Sequence, residues 1–156
     1  MEDRPSIPVR GAIAIAVAVA VNAVVFYAFD AMGVELRVPA AFGSTELADM
    51  TLPPVLILTA VPSLIAVILA IVLDRSTGKA RTIFSNVVVL GAVLSLLTLM
   101  SLDSPTTDRI FQGVMHLVPA AALVALVGPS LRSESASRRD SGRNDSGRND
   151  SGTVPR

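Results

Sequence analysis

Charge is absent from four long stretches of this chain and crowded into the segments between them. Gly11–Phe29, Leu52–Leu73, Ile83–Leu102 and Ile110–Gly128 contain no Asp, Glu, Lys or Arg. Each is about 19–22 residues long, enough at ~1.5 Å per residue to cross a hydrocarbon layer of ~30 Å as a helix. A charged side chain at mid-bilayer costs at least about 2.5–3.5 kcal/mol, so clustering of this kind is what a membrane demands. The spacing predicts an all-α membrane protein, a bundle of four antiparallel helices, with residues 1–10 before it and a disordered tail over 129–156.

The first stretch carries a conflicting signal. Gly11-Ala-Ile-Ala-Ile-Ala-Val-Ala-Val-Ala-Val alternates with period two, as a strand would. Both alternating faces are apolar, however, and a membrane barrel strand needs only about 9–11 residues and one polar face, so length decides for helix. It exceeds the hydrophobic region of a secretory leader and Asn22 interrupts it, so it is read as a retained anchor. The second span opens on Pro53 and Pro54, where missing N–H groups do no harm, and contains Pro62, expected to kink it. The fourth is the least apolar, with Gln112, Gly113, His116 and Pro119 in its first half. A three-helix arrangement with this segment re-entrant is the structural alternative.

Direction follows from basic residues. Eleven of the 13 Lys and Arg flank the N-terminal end, the second loop (Arg75, Lys79, Arg81) or the tail, leaving Arg37 and Arg109 in the other two loops. Positive flanks stay cytoplasmic, so both termini are expected inside the cell membrane. The remaining long loop, Asp30–Thr51, alternates at Val34–Pro39, which suggests a short strand. Ser44 ahead of Glu46 and Asp49 suggests a short capped helix. Such a loop is either an ordered connector or a lid over the bundle mouth. The tail repeats Ser-Gly-Arg-Asn-Asp at Ser141–Asp145 and Ser146–Asp150 and has no apolar face to offset the entropy of ordering.

Polar residues inside the spans are the informative ones. Asn22, Thr59, Ser95 and His116 each lie about 6–8 residues from the same end of the bundle, roughly 9–12 Å deep. One such residue per helix predicts a shared polar layer, with Gln112 one turn above His116 extending it towards the mouth. As structure, the layer is interhelical glue at about 0.6–2 kcal/mol per bond. As function, it is a small-molecule or proton site with His116 as the titrating member. Pro62 and Pro119 free backbone carbonyls near this depth. Ala16, Ala20 and Ala23 on one face of the first span, and Gly91 with Ser95 in the third, are expected to pack closely.

Enzyme signatures are missing. The chain has one histidine and no cysteine, no phosphate-binding glycine loop and no Gly-x-Ser-x-Gly. Asp30, Asp103 and Asp108 are read as solvated boundaries. Neither a metal site nor a cofactor is expected, and a formal net charge of zero gives no basic signal for nucleic acid.

Several short strings recur in order: Val21-Asn-Ala-Val-Val-Phe-Tyr27, Gly33-Val-Glu-Leu-Arg-Val-Pro39, Thr59-Ala-Val-Pro62, Leu94-Ser-Leu96 and Met115-His-Leu-Val118. Together they resemble the small four-helix prokaryotic membrane proteins grouped as domain of unknown function 6069. The resemblance covers about Arg10 to Gly128 and leaves out the tail. It implies four spans and marks Asn22, Pro62 and His116, but implies no activity. The expectation is a non-enzymatic accessory or structural membrane protein, partnered by bilayer lipid and by a second copy or another membrane protein. The alternative is a small transporter, channel-like subunit or ligand or pH sensor built on the layer around His116.

Overall fold

A computed structural model describes residues 6–34, 37–39, 46–100 and 106–132. Four α-helices dominate: α1 (Ile7–Ala31), α2 (Leu52–Ser76), α3 (Ala80–Met100) and α4 (Thr106–Leu126), the last followed by a 3₁₀ turn at Gly128–Ser130. All four are long and apolar enough to cross a membrane. The fourth segment is continuous helix through Pro119, and α2 is continuous through Pro62. The tail repeat, Ser44 and Asp103 lie outside the described residues.

The period-two stretch forms helix because a helical stripe, not an alternating one, does the packing. Gly11, Ala14, Ala18, Asn22 and Phe26 are the buried positions of α1, and Val55, Thr59, Ser63, Val67 and Ala70 those of α2. Steps of three and four residues place each set on one helical face. Small and polar side chains therefore face inward, while large aliphatic ones face out; Leu58 is 65% exposed and Val24 68%. A water-soluble bundle has the opposite arrangement. In a bilayer the lipid chains solvate the outer aliphatics, and small inward residues let helix backbones approach. At the closest approach, a Cβ on Gly11 would lie 2.5 and 2.8 Å from the two Val67 methyls.

Helix α1 packs against α2 and α4, and α3 packs against α4 and more thinly against α2. Two apolar clusters hold the ends. One gathers Ala14, Val67, Ala70, Ala80, Phe84, Leu123 and Val127. The other gathers Phe26, Val55, Phe111 and Met115, with the Phe29 and Phe111 rings edge-on at 4.8 Å. Beside the first cluster the segment after α4 is tied down, because the Arg132 N–H donates to Asp74 Oδ1 (2.9 Å) and its carbonyl accepts from the Arg81 N–H (3.2 Å).

At the other end, α1 stops in a left-handed cap. Gly33 has φ 71°, its N–H donates to the Asp30 carbonyl, and the Val34 N–H reaches back to Phe29. This is the paired-bond helix stop that glycine favours, with Val34 packed near Phe29 as its apolar clasp. The chain then forms a two-stranded antiparallel hairpin, β1 (Arg37–Pro39) with β2 (Leu47–Asp49), in register Arg37↔Asp49 and Val38↔Ala48. The strand expected near Val34–Pro39 is present. The capped helix expected around Glu46 and Asp49 is not, because Leu47–Asp49 pairs with β1 instead. Its backbone groups gain cross-strand partners there, which a helix of one turn would leave open at both ends.

Candidate functional site

The polar residues singled out in the sequence divide into two groups. Asn22 and Thr59 meet where α1, α2 and α4 converge. The Asn22 amide donates to Thr59 Oγ1 at 2.9 Å and to the Met115 carbonyl at 3.1 Å, and both side chains are buried, 1% and 5% exposed. Thr59 Oγ1 in turn donates to the Val55 carbonyl at 2.8 Å, and Ser63 donates to the Thr59 carbonyl at 2.7 Å.

Pro119 explains why Asn22 reaches the Met115 backbone. A carbonyl four residues before a proline has no helical donor, and Met115 stands four before Pro119. The asparagine supplies from α1 the hydrogen bond that α4 cannot make for itself. Sequence reading placed Asn22 and Pro119 at neighbouring depths but not in one interaction, because nothing in the linear pattern says which helices are adjacent.

Ser95, Gln112 and His116 form the second group. They line a groove of ≈ 490 Å³ between α2, α3 and α4, which Thr59 and Ser63 also border, so Thr59 links the two groups. Its walls are mostly aliphatic and include Leu58, Leu69, Val88 and Leu123, with Pro62 and Pro119 both at its edge. Ser95 and Gln112 are half-buried, and His116 is exposed on the groove side of α4. Gly91 also lines it with nothing within 4 Å of where a Cβ would stand, so Gly91 and Ser95 border open space where close packing was expected. Ala16 and Ala20 likewise lie exposed on the outside of α1, and only Ala23 is half-buried.

Above the groove lies a second cavity of ≈ 460 Å³, lined by Phe26, Asp30, Gly33, Val34, Arg37, Asp49 and Met50. The hairpin supplies Arg37 and Asp49 to the wall of this mouth. Gln112 Nε2 donates to the Arg37 carbonyl at 3.3 Å, and the Arg37 guanidinium faces Asp49 at 3.7 Å. Met50 belongs to both cavities. Neither Met50 nor Ser63 was singled out in the sequence; Ser63, four residues after Thr59 on the same face, was the findable one.

Asp108 corrects the sequence reading. Expected as a solvated boundary, it is 2% exposed, and its Oδ2 has no hydrogen-bond partner among the described residues. The physical reason is helical phase. Asp108 shares the inward face of α4 with Phe111 and Met115, three and seven residues on. Among the described residues, no group of three His, Asp or Glu side chains could hold a metal ion.

Four apolar helices with inward polar side chains and a groove among three of them define a multi-pass membrane protein. A model of a family of unknown function, DUF6069, matches residues 2–133, and the chain belongs to that family. No curated protein and no solved structure matches it.

Proposed function

We propose that the protein is a non-enzymatic membrane component that binds a small amphipathic molecule in the groove between α2, α3 and α4. The observation that carries this reading is the groove itself: about 490 Å³ of open space, walled mainly by aliphatic side chains, with Ser95, Gln112 and His116 on its lining. Ligand sites are commonly of this size and character, apolar with a few placed polar groups that fix orientation. The ligand's carbon skeleton lies along Leu58, Val88 and Leu123, with the imidazole and carboxamide of α4 beside it to fix its orientation. The protein sits in the cell membrane with both termini on the cytoplasmic side, supported by the gathering of Arg75, Lys79, Arg81 and the tail arginines.

A second reading, packing against a partner or a second copy through the alanine face of α1, is supported by the exposure of Ala16 and Ala20. Native mass spectrometry on protein released from its own membrane separates the two. The groove reading expects a non-covalent small-molecule adduct that disappears in Gly91→Leu, which fills the groove, and weakens in His116→Leu, while helical content stays unchanged. Absence of any adduct, or an adduct indifferent to both substitutions, overturns it.

A further inference from the structure

The two cavities differ in polarity and share a wall. The groove is apolar along most of its length, whereas the mouth carries the carboxylates of Asp30 and Asp49 and the guanidinium of Arg37 beside Phe26, Val34 and Met50. Arg37 is engaged with Asp49, so the described side chains of the mouth leave Asp30 in excess, one net negative charge. Met50 lines both spaces. Gln112 lines the groove while holding the Arg37 carbonyl of the mouth, so these two side chains stand between the two spaces.

We propose that mouth and groove form one binding site for an amphipathic organic cation. Its ammonium head lies in the mouth beside Asp30, and its apolar chain enters the groove as the flexible Met50 side chain swings aside. This deepens the groove reading and rests on it. The chemistry follows from the walls. A carboxylate in excess at a mouth of limited size concentrates cations and repels anions. Phe26, Val34 and Met50 give the carbon substituents of a substituted ammonium an apolar surface, and an aromatic ring accepts such a head well. An anionic amphiphile would meet the same apolar groove, but its head would face Asp30 and gain Arg37 only by displacing Asp49.

The test uses the absence of native cysteine. Ser95→Cys becomes the only thiol, a reporter inside the groove, and its rate of reaction with N-ethylmaleimide is measured in lipid nanodiscs, where both faces are open. Decyltrimethylammonium is added in one series and decanesulfonate, of equal chain length, in the other. The proposal expects the cation to slow the reaction and the sulfonate to do so much less. Adding Asp30→Asn should cut the advantage of the cation about two- to five-fold, the effect of one exposed ion pair. Asp30 is itself exposed, so this substitution leaves the bundle folded. Equal slowing by both amphiphiles, or a cation preference that Asp30→Asn leaves unchanged, overturns the proposal and leaves the groove reading standing. A thiol that fails to react without any amphiphile overturns the groove reading and this one together.

Discussion

In an α-helix the N–H of residue i+4 closes onto the carbonyl of residue i, and a proline removes one such donor. Pro119 removes the donor for Met115, and Asn22 Nδ2 replaces it at 3.1 Å while also engaging Thr59. Interhelical hydrogen bonds in bilayers average ~0.6 kcal/mol and reach ~1.7 kcal/mol. Asn22→Ala, which loses two, should therefore destabilise by about 1–2 kcal/mol in equilibrium unfolding from mixed micelles. In a Pro119→Ala background the Met115 carbonyl regains its own helical donor, so the same Asn22→Ala change should cost measurably less. Equal costs in the two backgrounds would mean that the bond does not depend on the proline. Gly11 offers a second check at this scale. A Cβ there would press on both methyls of Val67, a β-branched side chain with little rotamer freedom to yield. Gly11→Ala should cost about 1–3 kcal/mol, and Val67→Ala added to it should recover part of that loss. Asn22 and Thr59 were legible in the sequence because polar residues deep in a span are conspicuous. Asp108 was not, since its position at a span end gives no indication of which way the helix turns it.

Among the elements, the hairpin is the one most open to perturbation. It rests on the bundle through the Gln112 bond to the Arg37 carbonyl and on itself through the Arg37–Asp49 pair, whose side chains are largely solvent-exposed. Exposed ion pairs contribute little, and this one joins the hairpin only to itself, so the Gln112 bond is the tie that reaches α4. Gln112→Leu should speed hydrogen exchange in β1 and β2 while leaving α1, α2 and the cluster around Phe84 and Val127 protected. Unchanged hairpin exchange would show that the hairpin is held by other contacts. The alternation at Val34–Pro39 pointed to β1. Its partner β2 was hidden, because Leu47-Ala-Asp49 is too short for periodicity to distinguish strand from helix, and the pairing with Arg37 is a non-local fact. The long spans were readable for the opposite reason: bilayer thickness dictates their length, and the cost of burying charge keeps them free of Asp, Glu, Lys and Arg.

At the scale of the whole molecule, four polar residues at one depth suggested a single layer. The bundle separates them because α1 packs with α2 and α4 but not closely with α3. Asn22 is sealed among three helices, while Ser95 and His116 border the groove that the thinner α2–α3 contact leaves open. Depth is readable from position along a helix, but azimuth depends on which helices are neighbours. The most direct test of this account places a single cysteine, in turn, at Asn22, Ser95 and His116 and measures its reaction with a small water-soluble maleimide in lipid nanodiscs. The account predicts that Ser95→Cys and His116→Cys react while Asn22→Cys stays protected until the protein is unfolded. Equal reactivity at all three positions, or protection of Ser95→Cys and His116→Cys alike, would contradict it.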